Sequence, residues 1–581
     1  MYTRKYFLIA LILLGWFGST AQNNCLEFDG TNNYVTCGAI NLSGSEITLE
    51  CWVNVDAFQS NDPYISQLVG TESAGNSSFL RLGDSDIPGG DKIQFVLYFT
   101  DQQIKLTSTS TLQTNEWYHI AGVYNSASGM KLYINGVEDA SNGQSGTFNS
   151  NATFYMATND GTGRYLDGSL EEVRVWNDAR TEAEIRQNMY RELPNPSGEA
   201  NLVSYYKLNE NDGSTTATDS KGSNDGTLTN ISGNEWQTSS AIFGPKNAMD
   251  FDGTDDYVDC GNGSGLQITG TEITLEAWIN ADNFASNSHE NPIIDKHGQS
   301  VEGYTLRCGG SGILSFNLGD GSSWHEVVSP ANSLSTNTWH HVAGVYDGTN
   351  MKIYVDGEEV NSGSTGASIS DNGSNMSIGG AAEYQDRRFD GKIEEVRVWS
   401  VARSPSQIIE NMCNTLTGNE SGLVAYYNFD YSSGELVQDF GHEDQALSDG
   451  TWNGNSGGSY TSPEWTSSTA FNTWLNASST SWSTGSNWSL GSYPNSTSVN
   501  VGIPDHSTAY DPEITSGTQM NKLVVGDDAT LTFNHNGSHT IHGSVFNIGT
   551  TNLEANTDLT ITGSLYVLPW STLNIKSQAF L

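Results

Sequence analysis

An internal duplication constrains the fold of this 581-residue chain more than any other feature. Seven blocks of the first half return in the same order in the second half, at offsets between 221 (Met130 to Met351) and 229 (Glu235 to Glu464). The paired blocks start at Phe28 and Phe251, Glu46 and Glu272, Trp117 and Trp339, Met130 and Met351, Asp167 and Asp390, Leu202 and Leu423, and Glu235 and Glu464. A repeat of this length matches a single domain and is far longer than a solenoid rung, so it predicts one domain in two tandem copies.

The repeated blocks have the periodicity of β-strands. In residues 272–280, Ile273, Leu275, Ala277 and Ile279 alternate with residues that face the other way. Turn dipeptides that favour antiparallel hairpins separate the blocks, among them Asn135-Gly136 and Asp356-Gly357. The pattern predicts an all-β fold in which each copy is an antiparallel sandwich.

One short helix is predicted in each copy, directly after the Val-Arg-Val-Trp strand. Thr181 and Glu184 form a capping box in the first copy. Ser404 and Gln407 form another in the second copy, with Pro405 at the first helical position. Because two different sequences give the same signal, we expect an amphipathic helix beside each sandwich.

The order of the repeated motifs is typical of a known family. FDGTDDYV, EITLEAW, WHHVAGVYDG, MKIYVDG, GKIEEVRVW and GLVAYYNFD follow one another in the second copy, and close variants do so in the first. This series resembles the laminin-G-like, concanavalin A-like jelly roll of secreted bacterial proteins, over roughly residues 24–471. The resemblance implies two tandem antiparallel jelly-roll β-sandwiches that act as carbohydrate-binding or adhesive modules, often with calcium.

The first residues have the pattern of an export signal. Arg4 and Lys5 precede an apolar run at residues 7–17, and the small residues before Ala21 fit a cleavage site. The predicted organisation is a signal peptide at residues 1–21, jelly rolls at 22–243 and 244–471, and a Trp/Ser/Thr-rich lead-in to the start of a β-solenoid-like segment at 472–581. We therefore expect a secreted protein, located extracellularly or on the outer cell surface.

The C-terminal segment contains a weak repeat of its own. Residues 541–545 return as residues 561–565, which predicts two solenoid rungs. With its tryptophan-rich start, the segment resembles β-solenoids of adhesins that the type IX system exports. The chain stops at the apolar Leu581 without a polar capping rung, and we expect that the sequence is truncated there.

Charge and hydropathy restrict the partners. A formal net charge of −43 repels nucleic acid and anionic lipid. After the export signal, no stretch approaches 18 consecutive apolar residues, which argues against membrane insertion. We expect a polysaccharide or a glycosylated surface as the partner.

Six cysteines in an exported chain predict disulfide bonds, but each copy contains an odd number. We expect Cys37 to bridge within its own copy, to Cys25 or to Cys51. Only Cys37 and Cys260 occupy equivalent positions. The second copy also contains Cys308 and Cys413.

Carboxylates in the repeated blocks do not form a glycosidase pattern. Concanavalin A-like glycosidases arrange acids with an ExDxxE-like spacing, because two carboxylates must face one sugar ring. The nearest candidates here are Glu171-Glu172 and Glu394-Glu395, whose neighbouring side chains should point to opposite faces of a strand. We interpret Glu172 with Arg174, and Glu395 with Arg397, as structural ion pairs, and no catalytic residue is predicted.

The recurring histidines and tryptophans fit structural roles better than catalytic or binding ones. His119 and His341 recur without a partner nucleophile and fit buried strand histidines better than general bases. His535, His539 and His542 could bind a metal, but fit a solenoid face better. The repeated Trp52, Trp278, Trp117 and Trp339 fit core packing. A sugar-binding aromatic residue is expected in the divergent loops instead, for example Tyr64, Trp324 or Tyr384.

Four aspartates are candidate calcium ligands. Asp29 and Asp167 match Asp252 and Asp390, each at a strand edge and followed by glycine. The family resemblance implies a metal there, although Asp-Gly turns alone also explain these residues. The second site should bind calcium more tightly, because two aspartates replace two asparagines at residues 255–256.

The favoured function is a secreted or cell-surface carbohydrate-binding or adhesion protein without catalysis in the visible chain. Duplication fits this function, since two linked weak sites gain avidity. The alternative is that both sandwiches are non-catalytic modules of a polysaccharide hydrolase or lyase, whose active part lies in or beyond the C-terminal segment. A third interpretation is a structural spacer.

Overall fold

The structure is a computed structural model that describes residues 24–579. It leaves out positions 62, 101, 190–192, 194–195, 211–212, 232–234, 239–246, 288–289, 299, 372, 383, 431–435, 442–447, 454–463, 475–478, 491, 505–510, 535–536, 569 and 578. The predicted signal peptide at residues 1–21 lies outside the described residues. Among the described residues of 24–579, no helix is long and apolar enough to cross a membrane.

The first sandwich is built from the strands of the first copy. In chain order they are β1 (Asn24–Asp29), β2 (Tyr34–Asn41), β3 (Glu46–Ala57), β4 (Ser66–Ser73), β5 (Asn76–Leu82), β6 (Ile93–Phe99), β7 (Gln102–Thr107), β8 (Trp117–Asn125), β9 (Gly129–Ile134), β10 (Val137–Asn142), β11 (Asn151–Met156), β12 (Asp167–Trp176), β13 (Leu202–Tyr206), β14 (Thr216–Ala217), β15 (Gly226–Thr229) and β16 (Trp236–Thr238), with helix α1 (Glu182–Met189) after β12. One sheet has the order β10-β9-β8-β3-β12-β1-β16, with β13 also paired to β12. The other has the order β14-β15-β2-β11-β4-β5-β6-β7.

The second sandwich repeats this plan. Its strands are β17 (Asn247–Asp252), β18 (Tyr257–Asp259), β19 (Ile273–Ala281), β20 (Asn291–His297), β21 (Glu302–Gly309), β22 (Ile313–Asp320), β23 (Trp324–Val328), β24 (His340–Tyr346), β25 (Asn350–Val355), β26 (Glu358–Ser364), β27 (Ser377–Ile378), β28 (Gly380–Ala381), β29 (Tyr384–Arg388), β30 (Asp390–Trp399), β31 (Leu423–Tyr427), β32 (Leu436–Val437), β33 (Gly450–Asn453) and β34 (Glu464–Ser467), with helix α2 (Pro405–Met412) after β30. Its sheets have the orders β26-β25-β24-β19-β30-β17-β34 and β23-β22-β21-β20-β27-β18-β33-β32. The prediction of two tandem antiparallel sandwiches is confirmed.

A close contact between the sheets explains one glycine in each copy. A Cβ on Gly122 would lie 2.6 Å from the ring of Phe95 in the facing sheet, and one on Gly344 would lie 2.6 Å from the ring of Phe316. Both phenylalanines are fully buried. The glycine of each Ala-Gly-Val-Tyr block therefore leaves room for the aromatic ring that fills the core.

Both helices begin as predicted. The Thr181 hydroxyl accepts from the Glu184 backbone N–H at 3.2 Å, while the Glu184 carboxylate accepts from the Thr181 N–H at 2.7 Å. Ser404 and Gln407 form the same capping box. Each helix lies over the outer face of the sheet that contains its preceding strand, with Met189 or Met412 buried beneath it.

A buried ionic network joins each helix to its sheet. In the first sandwich Arg174 contacts Glu172 at 2.5 Å and Glu50 at 3.8 Å, and it donates to the Asn188 carbonyl of α1 at 2.8 Å. Glu172 also accepts from the Tyr205 hydroxyl at 2.5 Å. Although burial opposes ionisation most strongly, the hydrogen bond from His119 and the charge of Arg174 together lower the pKa of Glu50 to about 2.

The second sandwich contains the same network. Arg397 contacts Glu395 at 2.5 Å, and it donates to the Asn411 carbonyl of α2 at 2.9 Å. Tyr426 donates to Glu395 at 2.8 Å. His341 lies 3.4 Å from Glu276. The structural ion pairs expected between each arginine and the glutamate two residues before it are present in both copies.

One expectation about these glutamates is wrong. A β-bulge interrupts β12 between Glu171 and Arg174, and Glu172 has a φ of 51°. The extra residue breaks the alternation of side chains, so Glu171 and Glu172 both lie on the sheet face turned away from the core. Glu395 repeats this conformation with a φ of 52°. The bulge is also where β12 changes partner, from β1 to β13.

The two sandwiches pack against each other through an apolar cluster. It contains Trp52 and Met189 of the first sandwich and Trp399, Tyr426 and Phe440 of the second. The Trp52 indole N–H donates to the Met189 carbonyl at 2.7 Å, which holds the ring at the end of α1. Across the interface, Arg186 of α1 forms an ion pair with Asp449 at 2.5 Å, and Gln438 donates to the Asn135 carbonyl.

The equivalent face of the second sandwich packs against the C-terminal segment. Trp278 donates to the Met412 carbonyl at 2.5 Å and stacks on Phe471, with ring centroids 5.8 Å apart. The cluster also includes Val524 and Phe546 of that segment. A partly buried ion pair between Lys522 and Asp356 (2.6 Å) and a hydrogen bond between Ser544 and Glu358 (2.8 Å) also join the two parts.

The C-terminal segment is a parallel β-solenoid of about three turns. Its strands are β35 (Asn472–Thr473), β36 (Val501–Ile503), β37 (Glu513–Ile514), β38 (Gln519–Met520), β39 (Leu523–Val525), β40 (Thr530–Phe533), β41 (Ser538–Ile541), β42 (Val545–Asn547), β43 (Thr550–Leu553), β44 (Asp558–Ile561), β45 (Leu565–Val567) and β46 (Thr572–Ile575). They form three parallel sheets, in the orders β35-β36-β39-β42-β45, β37-β40-β43-β46 and β38-β41-β44. Ile541 pairs with Ile561 and Val545 with Leu565, so the repeat seen in the sequence corresponds to neighbouring rungs.

The disulfide predicted at Cys37 is absent, and all six cysteines are buried free thiols. Cys25 and Cys51 lie on β1 and β3 of one sheet, whereas Cys37 lies on β2 of the facing sheet. Cys37 and Cys51 both point into the core from the two facing sheets, but they remain separate thiols. The Cys25 thiol also faces away from the core and contacts the Gln237 carbonyl at 3.7 Å.

The other three cysteines are apart as well. Cys308 on β21 and the position following β18, Cys260, belong to one sheet but are separated by two intervening strands. Cys413 follows α2 and packs in the cluster that contacts the solenoid. Burial raises the pKa of the thiols of Cys25, Cys37 and Cys413 to about 12.

Replacing Arg174 or Arg397 with methionine should destabilise the sandwich that contains it by about 3–5 kcal/mol, because the buried carboxylates lose their counter-charge. Denaturant unfolding followed by tryptophan fluorescence measures the change. Lys131→Met is the matched control, because its ion pair with Glu138 is exposed and should matter by less than about 1 kcal/mol. Equal effects of the buried and exposed substitutions would contradict the structural role of the network.

The thiols should be protected in the native protein, because all six are buried and none is held by a disulfide. Iodoacetamide should add no label to native protein but six labels after unfolding without reductant, as counted by intact-mass spectrometry. A disulfide would show itself as a deficit of two labels that reductant restores.

Candidate functional site

A cleft of about 390 Å³ lies on the outer face of the second sandwich. Strands β20 to β23 form its floor. On β21, Leu306 points into the core while its neighbours Thr305 and Arg307 face outward, and on β22 Phe316 points inward while Asn317 faces outward. The period of two therefore places a row of polar side chains on the floor of the cleft.

Aromatic side chains form one wall of the cleft. The His297 ring stacks on the Tyr384 ring, with centroids 4.9 Å apart and planes at 15°. Trp324 meets His297 edge-on at 5.6 Å. The Arg387 guanidinium lies over the other part of this wall, 4.2 Å from the centroid of Tyr384. The ends of β20, β23 and β29 thus build an amphipathic aromatic surface beside the polar floor.

The polar floor has hydrogen-bonding capacity to spare. Arg307 donates to the side-chain amide oxygen Oδ1 of Asn317 at 3.0 Å, and Ser315 donates to the Glu326 carboxylate at 2.7 Å. Within the described part of the chain, the buried Nε of Arg307 and Oγ1 of Thr305 have no hydrogen-bond partner. Buried polar atoms usually have one, so these two atoms are unsatisfied groups of residues that line the cleft.

A carboxylate orients the histidine of the wall. Asp295 lies 2.8 Å from His297 Nδ1, so this nitrogen carries the proton that Asp295 accepts. His297 Nε2 then presents a lone pair toward Arg387, whose guanidinium lies 3.4 Å away. Asp295 and His297 are both at least nine-tenths buried. The arrangement fixes the ring plane against which Tyr384 stacks.

The first sandwich fills the equivalent position with its own side chains. Arg81 on β5 corresponds to Arg307, because each follows the leucine that pairs with the core phenylalanine of the next strand. Arg81 is held by Asp84 at 2.6 Å and by Gln94 at 2.7 and 2.9 Å. Phe79 occupies the position of Thr305 and is fully buried under the Arg81 guanidinium. Arg307 thus lines a cleft in the second copy, whereas Arg81 is fully occupied by contacts within the first copy.

The predicted aromatic residues separate clearly in the structure. Trp324 and Tyr384 line the cleft, whereas Tyr64 lies in a loop of the first sandwich, next to Gly83. Trp52 and Trp278 are buried, but they lie at the domain interfaces and not in the sandwich cores, where we expected them. The partly buried Trp117 and Trp339 pack against the same two interface clusters.

The candidate histidines do not assemble a metal site in the described residues. His119 and His341 are 1% exposed and lie edge-on against Trp52 and Trp278, both at 5.6 Å. Burial lowers the pKa of His119, although the hydrogen bond and charge of Glu50 oppose this. His539 is buried beside Phe533 inside the solenoid and His542 is exposed, while His535 lies outside the described residues.

The predicted acidic pairs meet across neighbouring strands. Asp29 of β1 is opposite Asp167 of β12, and Asp252 of β17 is opposite Asp390 of β30. In the first pair burial raises the pKa of Asp167, and the charges of Asp56 and Asp29 add to this. The two aspartates predicted as a pair in each copy are therefore neighbours, at the ends of adjacent strands.

A tighter acidic group surrounds Asp252. Carboxylate oxygens of Asp252, Asp255 and Asp256 lie within 4.8 Å of one another, and Asp390 is not part of this group. Asp256 is 1% exposed, and its Oδ1 has no hydrogen-bond partner in the described chain. Burial above all, and then the charges of Asp252 and Asp255, raise the pKa of Asp256 to about 7. Hard oxygen ligands around an unsatisfied carboxylate fit a calcium ion.

The first sandwich satisfies the same turn without an ion. Asn33 stands where Asp256 stands in the second copy, and Asn32 stands where Asp255 does. With its amide in the orientation that its neighbours require, Asn33 donates to the Asp29 carboxylate at 3.2 Å. The described residues of this turn contain no comparable group of three carboxylates. The two copies thus differ in the number of carboxylates at this turn.

Several cleft residues were missed from the sequence. Asp295, His297, Thr305, Arg307 and Arg387 lie in segments where the copies do not match, and those segments gave no motif. Their one available signal was divergence itself. The arginine is retained on β5 and β21, but its surroundings change from a buried phenylalanine and an aspartate to a threonine and open space.

Comparisons with known proteins agree with this architecture. The sequence model of the concanavalin A-like lectin/glucanases superfamily matches residues 29–186 and 252–409, more than half of the chain. The comparison with curated proteins gave no match.

Solved structures with a similar fold have low identity to the chain. A Bacteroides ovatus structure assigned as a carbohydrate binding protein is 18% identical, covering 73% of this chain and 93% of its own, with a TM-score of 0.30. Domains LG4-5 of mouse laminin alpha1 are 12% identical, covering 65% and 91%, with a TM-score of 0.25. Domain 4 of a Geobacillus stearothermophilus arabinanase, in complex with arabinotriose, is 20% identical, covering 28% and 74%, with a TM-score of 0.22. From the sequence match and the two sandwiches together, the chain belongs to the concanavalin A-like lectin/glucanases superfamily, with two tandem laminin-G-like domains.

Proposed function

We propose that the chain is an exported carbohydrate-binding protein that holds a saccharide in the cleft of its second sandwich. The observation that carries this proposal is the pairing of an aromatic wall, Trp324 and Tyr384, with a floor that has unsatisfied polar atoms at Thr305 and Arg307. Sugars have apolar C–H faces and hydroxyl edges. Such a ligand would pack on the wall while its hydroxyls bond to the floor.

The first sandwich has a supporting role in this proposal. Its equivalent arginine, Arg81, is closed by Asp84 and Gln94, and Phe79 fills the adjoining space. Binding at this position is therefore assigned to the second copy alone. The avidity that two equal sites would give is not part of the proposal.

The partner that we propose is a polysaccharide or a glycosylated surface outside the cell. A net charge of −43 disfavours nucleic acid as a ligand. The superfamily match is consistent with a lectin-like role.

We further propose that the second sandwich binds one calcium ion through Asp252, Asp255 and Asp256. The three carboxylates repel one another, and a divalent cation would neutralise them and supply the missing partner for Asp256 Oδ1. The role assigned to the ion is structural: it would hold the turn that joins β17 to β18.

Replacing Trp324 with alanine should weaken saccharide binding by at least about tenfold, because the ligand loses its apolar platform. Isothermal titration against a panel of oligosaccharides identifies the ligand, and the variant is then titrated with that ligand. Trp570→Ala is the matched control, since Trp570 is 60% exposed on the solenoid and away from the cleft. A panel without any binder, or equal loss in both variants, would argue against the cleft as the binding site.

Calcium should bind at one site, and Asp256→Asn should abolish or strongly weaken this binding, because the change recreates the turn of the first sandwich. Asn33→Asp, the reciprocal change, should create a second, weaker site. Because the pKa of Asp256 is about 7 without an ion, affinity should fall as the pH drops below 7 and protons compete. Calorimetry at two pH values tests this, and an unchanged melting temperature after chelation would count against a structural ion.

A further inference from the structure

Two arginines face the cleft in a chain with few cations. The sequence has 24 Lys and Arg residues against 67 Asp and Glu, so an arginine without a close carboxylate partner is uncommon. Arg307 lies on the floor and Arg387 beside the aromatic wall. Burial lowers the pKa of Arg307, the charges of Asp295 and Glu326 oppose this, and the charge of Arg387 adds to the lowering.

Arg307 is only weakly compensated. Its nearest carboxylate oxygen belongs to Glu326 and lies 4.0 Å away, at the limit of an ion pair. That carboxylate accepts a shorter hydrogen bond, 2.7 Å, from Ser315. The buried Arg307 Nε has no partner in the described chain, as noted above. The guanidinium therefore keeps one unsatisfied donor beside the cleft.

Arg387 also lacks a close counter-charge. Among the residues that the structure describes, no carboxylate oxygen lies within 4.0 Å of it, and its contacts are the Tyr384 ring and His297. The nearest acid of the wall, Asp295, is already bound to His297 Nδ1. The guanidinium is half-buried, with its charge available at the mouth of the cleft.

The first sandwich shows what a compensated arginine looks like in this fold. Arg81 has Asp84 at 2.6 Å, and Lys105 binds the same carboxylate. In the second copy Glu326 takes the place of Lys105 on the edge strand, since Lys105 pairs with Val96 and Glu326 with the equivalent Asn317. No residue of the described cleft takes the place of Asp84. The second copy thus has the cation of this site without its carboxylate.

We infer that the cleft selects an anionic saccharide, one whose carboxylate or sulfate group binds between Arg307 and Arg387 while its sugar ring packs on Tyr384 and Trp324. This inference rests on the proposed carbohydrate-binding function and names the ligand class of the same site. A guanidinium matches the planar fork of a carboxylate and also binds sulfate oxygens. The anion would take the place that Asp84 has in the first sandwich.

The overall charge of the protein affects the choice of probe. A field from a net charge of −43 repels long polyanions, so a polymer would mask the local preference of the cleft. Short ligands at moderate ionic strength reduce this repulsion. Oligogalacturonates and their carboxyl-reduced forms provide one matched pair, and sulfated galactan oligosaccharides with their desulfated forms provide the other.

Calorimetric titration of the full chain with both pairs tests the inference. We expect at least one anionic form to bind about tenfold or more tightly than its neutral partner, as a charge-assisted contact predicts. Preference in the first pair identifies a carboxylate, and preference in the second identifies a sulfate. Arg387→Gln should remove most of the preference with little change in the melting temperature, since this half-buried side chain forms no ion pair among the described residues.

Arg180→Gln is the matched control, because Arg180 lies over Trp176 at the same 4.2 Å but far from the cleft. It should leave the preference intact. Equal binding of charged and neutral forms, or a preference that survives Arg387→Gln, would overturn the inference while leaving carbohydrate binding in place. If neither charged nor neutral saccharides bind, the proposed function fails together with it.

Discussion

The buried arginine of each sandwich is the interaction on which the rest of the fold depends. Arg174 and Arg397 each join a glutamate of their own strand to the last turn of the helix that follows. A buried charge of this kind is costly unless every partner is in place. The strand therefore needs a bulge to present the glutamate, and the helix must end where its carbonyl groups meet the guanidinium. This requirement explains why the same blocks recur in both copies while the loops differ.

The binding cleft arises where the two copies are free to differ. The core residues behind it are equivalent, with Leu80 and Leu306 pairing to Phe95 and Phe316. On the outer face, Thr305 stands where the first copy has Phe79, which opens space. The second copy also lacks a counterpart of Asp84, so Arg307 is only weakly compensated. A stable duplicated scaffold thus allows one copy to carry a ligand site while the other remains closed.

Local patterns predicted the elements of this chain well, and long-range contacts set the limits. Period-two alternation and the capping boxes at Thr181 and Ser404 depend on neighbours within a few residues, so the sequence contains them in full. The bulge at Glu172 breaks the alternation and places this carboxylate against Tyr205 of another strand. The separation of Cys37 from Cys25 and Cys51 depends on which sheet each strand joins. The cleft combines strands β20 to β23 with the distant short strand β29, and no single segment signals it.

Trp52 and Trp278 create equivalent joints that use the same face in two different partnerships, one with a sandwich and one with a solenoid. Each joint is apolar and is fixed by a cross-domain ion pair, Arg186 with Asp449 and Lys522 with Asp356. A mechanical consequence follows. Tension between a ligand in the cleft and the solenoid would pass through the second sandwich and a single joint. The first sandwich lies off this line of force, so its unfolding would not release the load.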